Sequence, residues 1–158
     1  MSQIALTFPD GSVRHYDKGV TVDQVAASIG SSLAKATLAG KFQGQLVDHD
    51  RPLEADGAIE IITDKSPEAL EIMRHSTAHL MAHALTRLYP GIHFGVGPAI
   101  ESGFYYDTDK EVQLTEDDLP AVEKEMKKII SQNYPIVRRE VSRAEALELL
   151  IPRIDGGL

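Results

Sequence analysis

Three histidines recur at every fourth position of one stretch of the sequence, HSTAHLMAH: they are His75, His79 and His83. If the stretch is helical, each residue turns by about 100°, and the three imidazoles share an arc of roughly 80°. Imidazoles on one helix face can ligate a metal ion, or they can act as neutral bases that position a water molecule and accept its proton near pH 7. An ordinary polar surface that happens to contain histidines is the third interpretation.

The neighbouring residues disfavour metal chemistry. The HExxH arrangement of metalloproteases is excluded because Ser76 and Thr77 follow His75, so no glutamate lies beside the first histidine. A structural zinc site needs about four ligands and a catalytic one about three plus water, and the sequence contains no cysteine. We therefore predict no metal ligands among the site residues and weak or absent zinc binding.

A helix must hold these histidines, and its ends are marked in the sequence. Ser66-Pro67-Glu68 is a typical helix start, and Pro90-Gly91 ends the helix after about Tyr89. Apolar residues fall on the side opposite the histidines, which predicts a core-facing stripe of Met73, Thr77, Leu80, Met81, Ala84, Leu85 and Leu88. Between positions 72 and 86 the histidine face carries no charged side chain, which indicates the wall of a cleft.

Residues 95–107, GVGPAIESGFYYD, are a second candidate for ligand binding. Glycines such as Gly97 allow a ligand to approach the backbone, and Tyr106 offers stacking and hydrogen bonding. We expect strands within residues 92–107, joined by the GVGPAIESG loop. The alternative is a glycine–proline loop that leads into an edge strand. The GVGP run does not indicate a phosphate loop, because the sequence has no GxxxxGK[ST] motif. A modest basic patch, more typical of solvated element ends than of a phosphate track, comprises Lys127, Lys128, Arg138, Arg139 and Arg143.

Composition narrows the class of protein. The chain has 158 residues, of which 42% are hydrophobic and 25% charged, and this predicts one ordinary or two small folded domains. No apolar run approaches the roughly 20 residues of a membrane span, and the N-terminus lacks the pattern of a signal peptide, so we expect a cytoplasmic protein. A net charge of −8 argues against strong independent binding of nucleic acid.

The first 62 residues predict a β-grasp module with the element order ββαβββ. Apolar alternation indicates a hairpin over residues 4–16, and a capping box with an apolar stripe indicates a helix over residues 21–30. Three short strands are expected after it, around residues 37–39, 42–47 and 59–62. An irregular α+β fragment is the alternative.

Residues 63–66 read as a polar joint, and the rest of the chain predicts a second α+β segment. Thr115 and Asp118 cap a helix that Asn133-Tyr134-Pro135 breaks. We expect a strand at residues 136–141, then a short helix that begins at residues 142–145 and that Pro152 ends.

With RHSTAHLMAHAL and GPAIESGFYYD standing in this order, the chain resembles the N-terminal part of bacterial threonyl-tRNA synthetases over about residues 4–149. The resemblance implies an α+β protein with a TGS domain, a ubiquitin-like β-grasp fold, at residues 1–62. It implies the beginning of an editing domain at residues 67–149. Residues 150–158 do not continue the family's pattern and form an unmatched tail.

The same resemblance carries the functional expectations. It implies that His75 and His79 are catalytic and that His83, Tyr106 and Gly97 bind substrate. In that family the editing site hydrolyses seryl-tRNA made by mistake, because serine is nearly isosteric with threonine. The site is completed there by a Cys-x-x-x-His segment and a lysine beyond the matched region. We therefore expect an N-terminal fragment that contacts tRNA and contributes to proofreading in the whole enzyme but is inactive alone.

The resemblance also assigns what lies outside this sequence. ATP, Mg and Zn belong to the family's synthetic core, so no cofactor is expected for this chain, and the family's homodimer forms through the same core. The expected partner is tRNA, and no membrane is involved. A non-catalytic TGS-containing regulatory or RNA-binding adaptor is the alternative function. The zinc-binding editing modules of alanyl-type synthetases also use HxxxH, but they pair it with Cys-x-x-x-His, which the absence of cysteine disfavours.

Overall fold

The computed structural model describes residues 2–109 and 113–154 of the chain. The backbone forms two compact units, Met1–Ile72 and Met73–Leu158. The division falls within the first turn of a helix that begins at Ala69. Among the helices of the described residues, none is long and apolar enough to cross a membrane.

The first unit opens with an antiparallel hairpin of strands β1 (Gln3–Thr7) and β2 (Val13–Asp17). Gly11 adopts a φ of 82° in the turn, a left-handed conformation that glycine takes without strain. The Asp10 carboxylate accepts hydrogen bonds from the Ser12 hydroxyl at 2.6 Å and the Ser12 N–H at 2.9 Å, which lower the pKa of Asp10. The hairpin predicted over residues 4–16 is confirmed.

Helix α1 (Val22–Ile29) has the predicted capping box. The Thr21 hydroxyl accepts from the Gln24 N–H at 3.3 Å, and the Gln24 side chain accepts from the Thr21 N–H at 3.0 Å. A second helix, α2 (Ser31–Ala36), follows directly and was not predicted. None of its residues is buried, so the segment lacks the apolar periodicity by which a packed helix is recognised in sequence.

Three further strands complete a five-stranded sheet: β3 (Thr37–Phe42), β4 (Gln45–Asp48) and β5 (Gly57–Thr63). The strand order is β2-β1-β5-β3-β4, in which β1 and β5 are parallel and the other pairs are antiparallel. Residues of α1 and of the sheet share one core, which contains Ile4, Leu6, Val22, Val25, Val47, Leu53 and Ile59. This arrangement confirms the predicted β-grasp fold, with α2 added to the element order.

The joint at residues 63–66 is a hydrogen-bonded turn. The Thr63 N–H donates to the Ser66 hydroxyl at 2.9 Å, and the Ser66 N–H donates to the Thr63 carbonyl at 3.0 Å. The Ser66 hydroxyl therefore closes the turn, and the next helix begins at Ala69, later than the predicted start. Lys41 in β3 forms an ion pair of 2.8 Å with Glu68, which ties the end of the turn to the sheet.

In the second unit, helix α3 (Ala69–Leu88) shares a core with helix α4 (Leu119–Gln132). The cluster contains Ala84, Leu85, Ile92, Val122 and Ile129, and Leu80, Met81 and Leu88 are partly buried against it. The predicted core stripe is confirmed from Leu80 onward but wrong at Met73, which is 51% exposed. The cluster shared with α4 begins about two turns after Met73, too far along α3 to cover it.

Residues 94–108 form a narrow hairpin. Strands β6 (Ala99–Ile100) and β7 (Gly103–Phe104) pair near its turn, and Phe94 bridges to Thr108 at its base. The GVGPAIESG segment, predicted as a loop between strands, is therefore one arm of the hairpin together with its turn. The strands are only two residues long each, because Pro98 has no N–H to continue the ladder.

The last elements match the sequence in part. The Thr115 N–H donates to Asp118 Oδ2 at 2.8 Å in the predicted capping box, and α4 ends at Asn133, whose φ is 47°. The strand predicted at residues 136–141 is wrong: the segment is irregular and Ile136 is 94% exposed. An apolar pattern alone makes no strand where no neighbouring strand supplies the hydrogen bonds.

Helix α5 (Arg143–Ile154) begins where predicted, with a hydrogen bond of 2.8 Å from the Ser142 N–H to the Glu145 carboxylate. The prediction that Pro152 ends it is wrong, since the helix continues to Ile154. Proline removes one N–H donor but keeps a helical φ, so a single proline in the last turn need not stop a helix. Residues 155–158 of the predicted tail lie outside the described residues.

Candidate functional site

The three histidines of α3 lie on the exposed side of the helix, opposite the buried Ala84 and Leu85. His75 and His79 are in direct contact: their Nε2 atoms are 3.0 Å apart, and the ring centroids are 4.6 Å apart at an interplanar angle of 72°. The structure thus brings together the two residues predicted to be catalytic.

The contact between the two Nε2 atoms constrains protonation. A hydrogen bond between two ring nitrogens needs one N–H donor and one lone pair, so the accepting imidazole is neutral. If both rings are neutral, the donor carries its remaining lone pair on Nδ1. The pair therefore combines a held orientation with a nitrogen that can accept a proton from a ligand or a water molecule.

Two threonine hydroxyls on neighbouring positions of α3 are turned toward the helix itself. Thr77 donates to the Met73 carbonyl at 2.7 Å, and Thr86 donates to the Ala82 carbonyl at 2.9 Å. These bonds to the preceding turn use the hydroxyl protons within the helix. The imidazoles, together with the exposed Ser76 beside His75, are therefore the groups that this part of α3 presents to a ligand.

His83, the third predicted residue, lies beside Tyr134 rather than in the His75–His79 contact. The His83 and Tyr134 ring centroids are 6.4 Å apart, with the planes tilted by 34°. Arg87, one turn further along α3, donates to the Tyr134 hydroxyl at 3.1 Å. This hydrogen bond, followed by the one to Glu125, raises the pKa of Arg87.

Gly97 and Tyr106, the other two predicted residues, also contact each other. A Cβ atom placed on Gly97 would lie 2.3 Å from Cδ1 of Tyr106, so only glycine fits against this ring. Tyr106 also packs edge-to-face with Phe94, at a centroid distance of 5.3 Å and an angle of 69°. The Gly95 N–H and the Asp107 carbonyl are joined at 2.8 Å, which keeps the two arms in register beside this pair.

In the part of the chain that the structure describes, one side-chain hydrogen bond connects α3 to the hairpin. Arg74, which precedes His75, donates from Nη1 to the Ile100 carbonyl at 3.3 Å. Within residues 2–109 and 113–154 no hydrogen bond or ring contact joins the His75–His79 pair to Tyr106. The structure therefore holds two local pairs, His75–His79 and Gly97–Tyr106, on two elements that Arg74 links.

Tyr134 and Arg87, which contact His83 or its neighbours, are not among the site residues predicted from the sequence. Asn133-Tyr134-Pro135 predicts only the break after α4, and Arg87 is predicted only as part of the helix. The available signal was the spacing of Arg87, which follows His83 by four residues and so shares its helix face. No feature of the sequence placed Tyr134 next to that face, because the contact depends on how α4 packs against α3.

The described residues offer little for a metal ion or for a run of phosphates. Among them, no group of three or more histidine and carboxylate side chains converges. In the basic patch, Lys127 pairs with Glu123 at 2.7 Å and Lys128 with Glu125 at 3.4 Å. Arg138 forms an ion pair with Glu140. Three of the five predicted basic residues are thus neutralised locally, as solvated element ends commonly are.

Comparison with known proteins shows which domain family the first unit resembles. The TGS domain family matches residues 4–63, the part of the chain that forms the β-grasp sheet with α1 and α2. Residues 4–63 are therefore similar to TGS domains, and they form the β-grasp sheet described above.

The similarity to one group of proteins extends much further along the chain. The threonine–tRNA ligase of Enterococcus faecalis is 62% identical over 147 residues, which is 92% of this chain and 23% of that protein. Those of Staphylococcus saprophyticus and Bacillus velezensis are each 57% identical, over 146 and 143 residues. The chain spans about a quarter of the length of these relatives and is similar to their N-terminal part.

Proposed function

We propose that this chain is the N-terminal part of a threonine–tRNA ligase that contacts tRNA and contributes to the hydrolysis of mischarged seryl-tRNA. The observation that supports this most directly is the contact between His75 and His79 on the exposed side of α3. It joins two ionisable side chains in a defined orientation, on a helix whose other side makes the core. Identity of 62% over 147 residues to the Enterococcus faecalis threonine–tRNA ligase supports the choice of enzyme.

The chemistry asked of this pair is ester hydrolysis. A water oxygen attacks the seryl carbonyl carbon, and an imidazole nitrogen takes the proton that the water loses. The bond from that carbon to the 3′ oxygen of the terminal ribose then breaks, and the departing oxygen regains a proton as serine leaves. A positioned base of this kind contributes roughly 10²- to 10⁴-fold to the rate. His75 and His79 are the residues that orient the water and exchange its proton.

Gly97 and Tyr106 contribute a wall for the substrate in this proposal. The tyrosine ring packs edge-to-face against Phe94 and lies against Gly97, in the space that a side chain there would fill. These contacts position the ring before a ligand binds. A fixed ring can discriminate small side chains by shape, as a pocket for serine must. His83 contacts the nucleotide portion of the substrate.

The remaining groups belong to the longer protein. A Cys-x-x-x-His segment and a lysine would complete the editing site, and ATP, Mg and Zn would serve the synthetic core. We expect that protein to be a cytoplasmic homodimer associated through its core. The 158 residues alone would then neither charge tRNA nor edit it at an appreciable rate.

The test uses a chimera in which residues 1–149 of this chain are joined to the remainder of the Enterococcus faecalis ligase. We expect His75→Ala and His79→Ala each to slow the deacylation of seryl-tRNA by roughly 10²-fold or more. Charging with threonine should hardly change, because the substituted side chains are exposed on α3 and away from the core.

His15→Ala is the matched control, since His15 is an exposed histidine on β2 of the first unit. It should leave both deacylation and charging unchanged. If the His79→Ala chimera edits normally, the three histidines are ordinary surface residues. If the unsubstituted chimera binds tRNA but does not deacylate seryl-tRNA, the chain is better described as an RNA-binding adaptor.

A further inference from the structure

Tyr134 is exposed but held in place. It directly follows the left-handed Asn133 at the end of α4, and 52% of the residue is accessible to solvent. Its hydroxyl nevertheless accepts a hydrogen bond of 3.1 Å from Arg87 Nη2, and the guanidinium carbon lies 5.7 Å from the ring centroid. An exposed aromatic ring after a helix end would otherwise be free to rotate.

Arg87 is itself fixed by helix α4. Its Nη1 donates to Glu125 at 3.2 Å and to Gln132 at 2.9 Å. The Arg87 side chain is 29% exposed and that of Glu125 only 14%, so this junction lies mostly beneath the surface. A ring anchored in this way has already lost its rotational freedom, and a ligand that binds it does not have to order it.

The anchored ring extends the row of histidines on α3. Tyr134 lies 6.4 Å from the His83 ring, measured between centroids. Four residues of helix rise about 6 Å, so His83 lies about 6 Å beyond His79 and about 12 Å beyond His75 along the axis. Tyr134 thus stands at the far end of the row, beyond the reach of a group bound between His75 and His79.

The chemistry of this end of the row suits a nucleobase. The tyrosine hydroxyl is engaged by Arg87, so the ring offers a ligand mainly its π-face. Aromatic rings that are exposed and rigid, with an arginine and an imidazole close by, are the surfaces on which single-stranded nucleic acids stack their bases.

We propose that Tyr134, together with His83, stacks a base of the single-stranded 3′ end of tRNA, the base that precedes the terminal nucleotide. Arg87 is the positioning residue that holds the tyrosine. This inference rests on the proposed function, because the terminal nucleotide is the one whose ester lies at His75 and His79. It adds a nucleotide subsite formed by α3 and the chain that follows α4.

The experiment measures binding of the trinucleotide CCA, the common 3′ sequence of tRNA, to the 158-residue chain by NMR titration. We expect Tyr134→Leu to weaken binding about tenfold, and Tyr134→Phe, which keeps the ring, to weaken it less than threefold. Ile136→Ala, a nearby change at a residue that is 94% exposed, should have no effect. Unchanged thermal unfolding midpoints establish that each variant is folded.

A second probe separates stacking from an indirect structural role. A trinucleotide that lacks its middle base should bind the unsubstituted chain about tenfold more weakly than CCA does. Tyr134→Leu should not weaken the binding of this trinucleotide further. If the losses from Tyr134→Leu and from removal of the middle base multiply, the two changes act independently and the proposal is wrong. The proposal is also wrong if Tyr134→Leu binds CCA as tightly as the unsubstituted chain does, or if the unsubstituted chain does not bind CCA. Deacylation by the His79→Ala chimera judges the proposed function separately, so the two can fail independently.

Discussion

Gly97 and Tyr106 fit together so closely that a methyl group on the glycine would come within 2.3 Å of Cδ1 and 2.4 Å of Cε1 of the ring. The two residues lie on opposite arms of the hairpin at residues 94–108, where the pairing of Gly95 with Asp107 keeps them level. Position 97 therefore has to be glycine, because the tyrosine ring occupies the space where a side chain would lie. The φ of Gly97 is not in the left-handed region, so backbone strain is not the reason for it.

The first prediction follows from this fit. Gly97→Ala should displace the Tyr106 ring and destabilise the second unit by about 1–3 kcal/mol, the usual cost of overpacking. In the chimera it should also reduce seryl-tRNA deacylation while charging is retained. The control is Gly30→Ala, since a Cβ there meets no atom within 4 Å. If Gly97→Ala and Gly30→Ala unfold at the same midpoint, the Tyr106 ring moves aside without loss of stability and the prediction is wrong.

The sequence predicted the elements whose signals are local and missed those that depend on partners. The capping box at Thr21 and Gln24 was correct, because both hydrogen bonds form within one turn. The strand at residues 136–141 was wrong because a strand exists only through pairing, and α2 was missed because it buries no residue. The spacing of His75 and His79 sufficed to place them together, whereas the contact of Gly97 with Tyr106 requires the hairpin register.

The second prediction separates the core side of α3 from its histidine side. Leu85→Ala should destabilise the chain by about 2–5 kcal/mol, because Leu85 is 2% exposed within the cluster shared with α4. His79→Ala should change the free energy of unfolding by no more than about 0.5 kcal/mol, since His79 is exposed. Urea unfolding of the two variants measures both values. A large loss for His79→Ala would mean that the histidine contact supports the fold.

The third prediction concerns zinc. Two imidazoles on one helix leave the coordination shell of zinc incomplete. Among the described residues, no carboxylate and no further histidine joins His75 and His79 as a third ligand. Calorimetry of the 158-residue chain at neutral pH should show binding far weaker than the roughly 10–16 kcal/mol of zinc-finger peptides. His79→Ala should then give nearly the same titration. A tight complex of one zinc ion per chain, abolished by that substitution, would instead support a zinc-dependent site.

The last prediction uses the ion pair between Lys41 and Glu68, whose atoms are 2.8 Å apart. The hydrogen bond from the Lys41 ammonium lowers the pKa of Glu68, so the unfolded chain binds a proton at this carboxyl more readily than the folded one does. The stabilisation is therefore fully present above the ordinary glutamate pKa of about 4.3 and is lost as the pH falls through the lower folded value. We expect Glu68→Gln to be less stable than the unsubstituted chain at about pH 7, and the difference to close as the pH falls below the folded pKa of Glu68. Lys41→Gln, which removes the other partner of the same ion pair, should also be less stable than the unsubstituted chain at about pH 7. Thermal unfolding at several pH values measures the difference, and a constant gap between Glu68→Gln and the unsubstituted chain across that range would show that the ion pair does not stabilise the first unit.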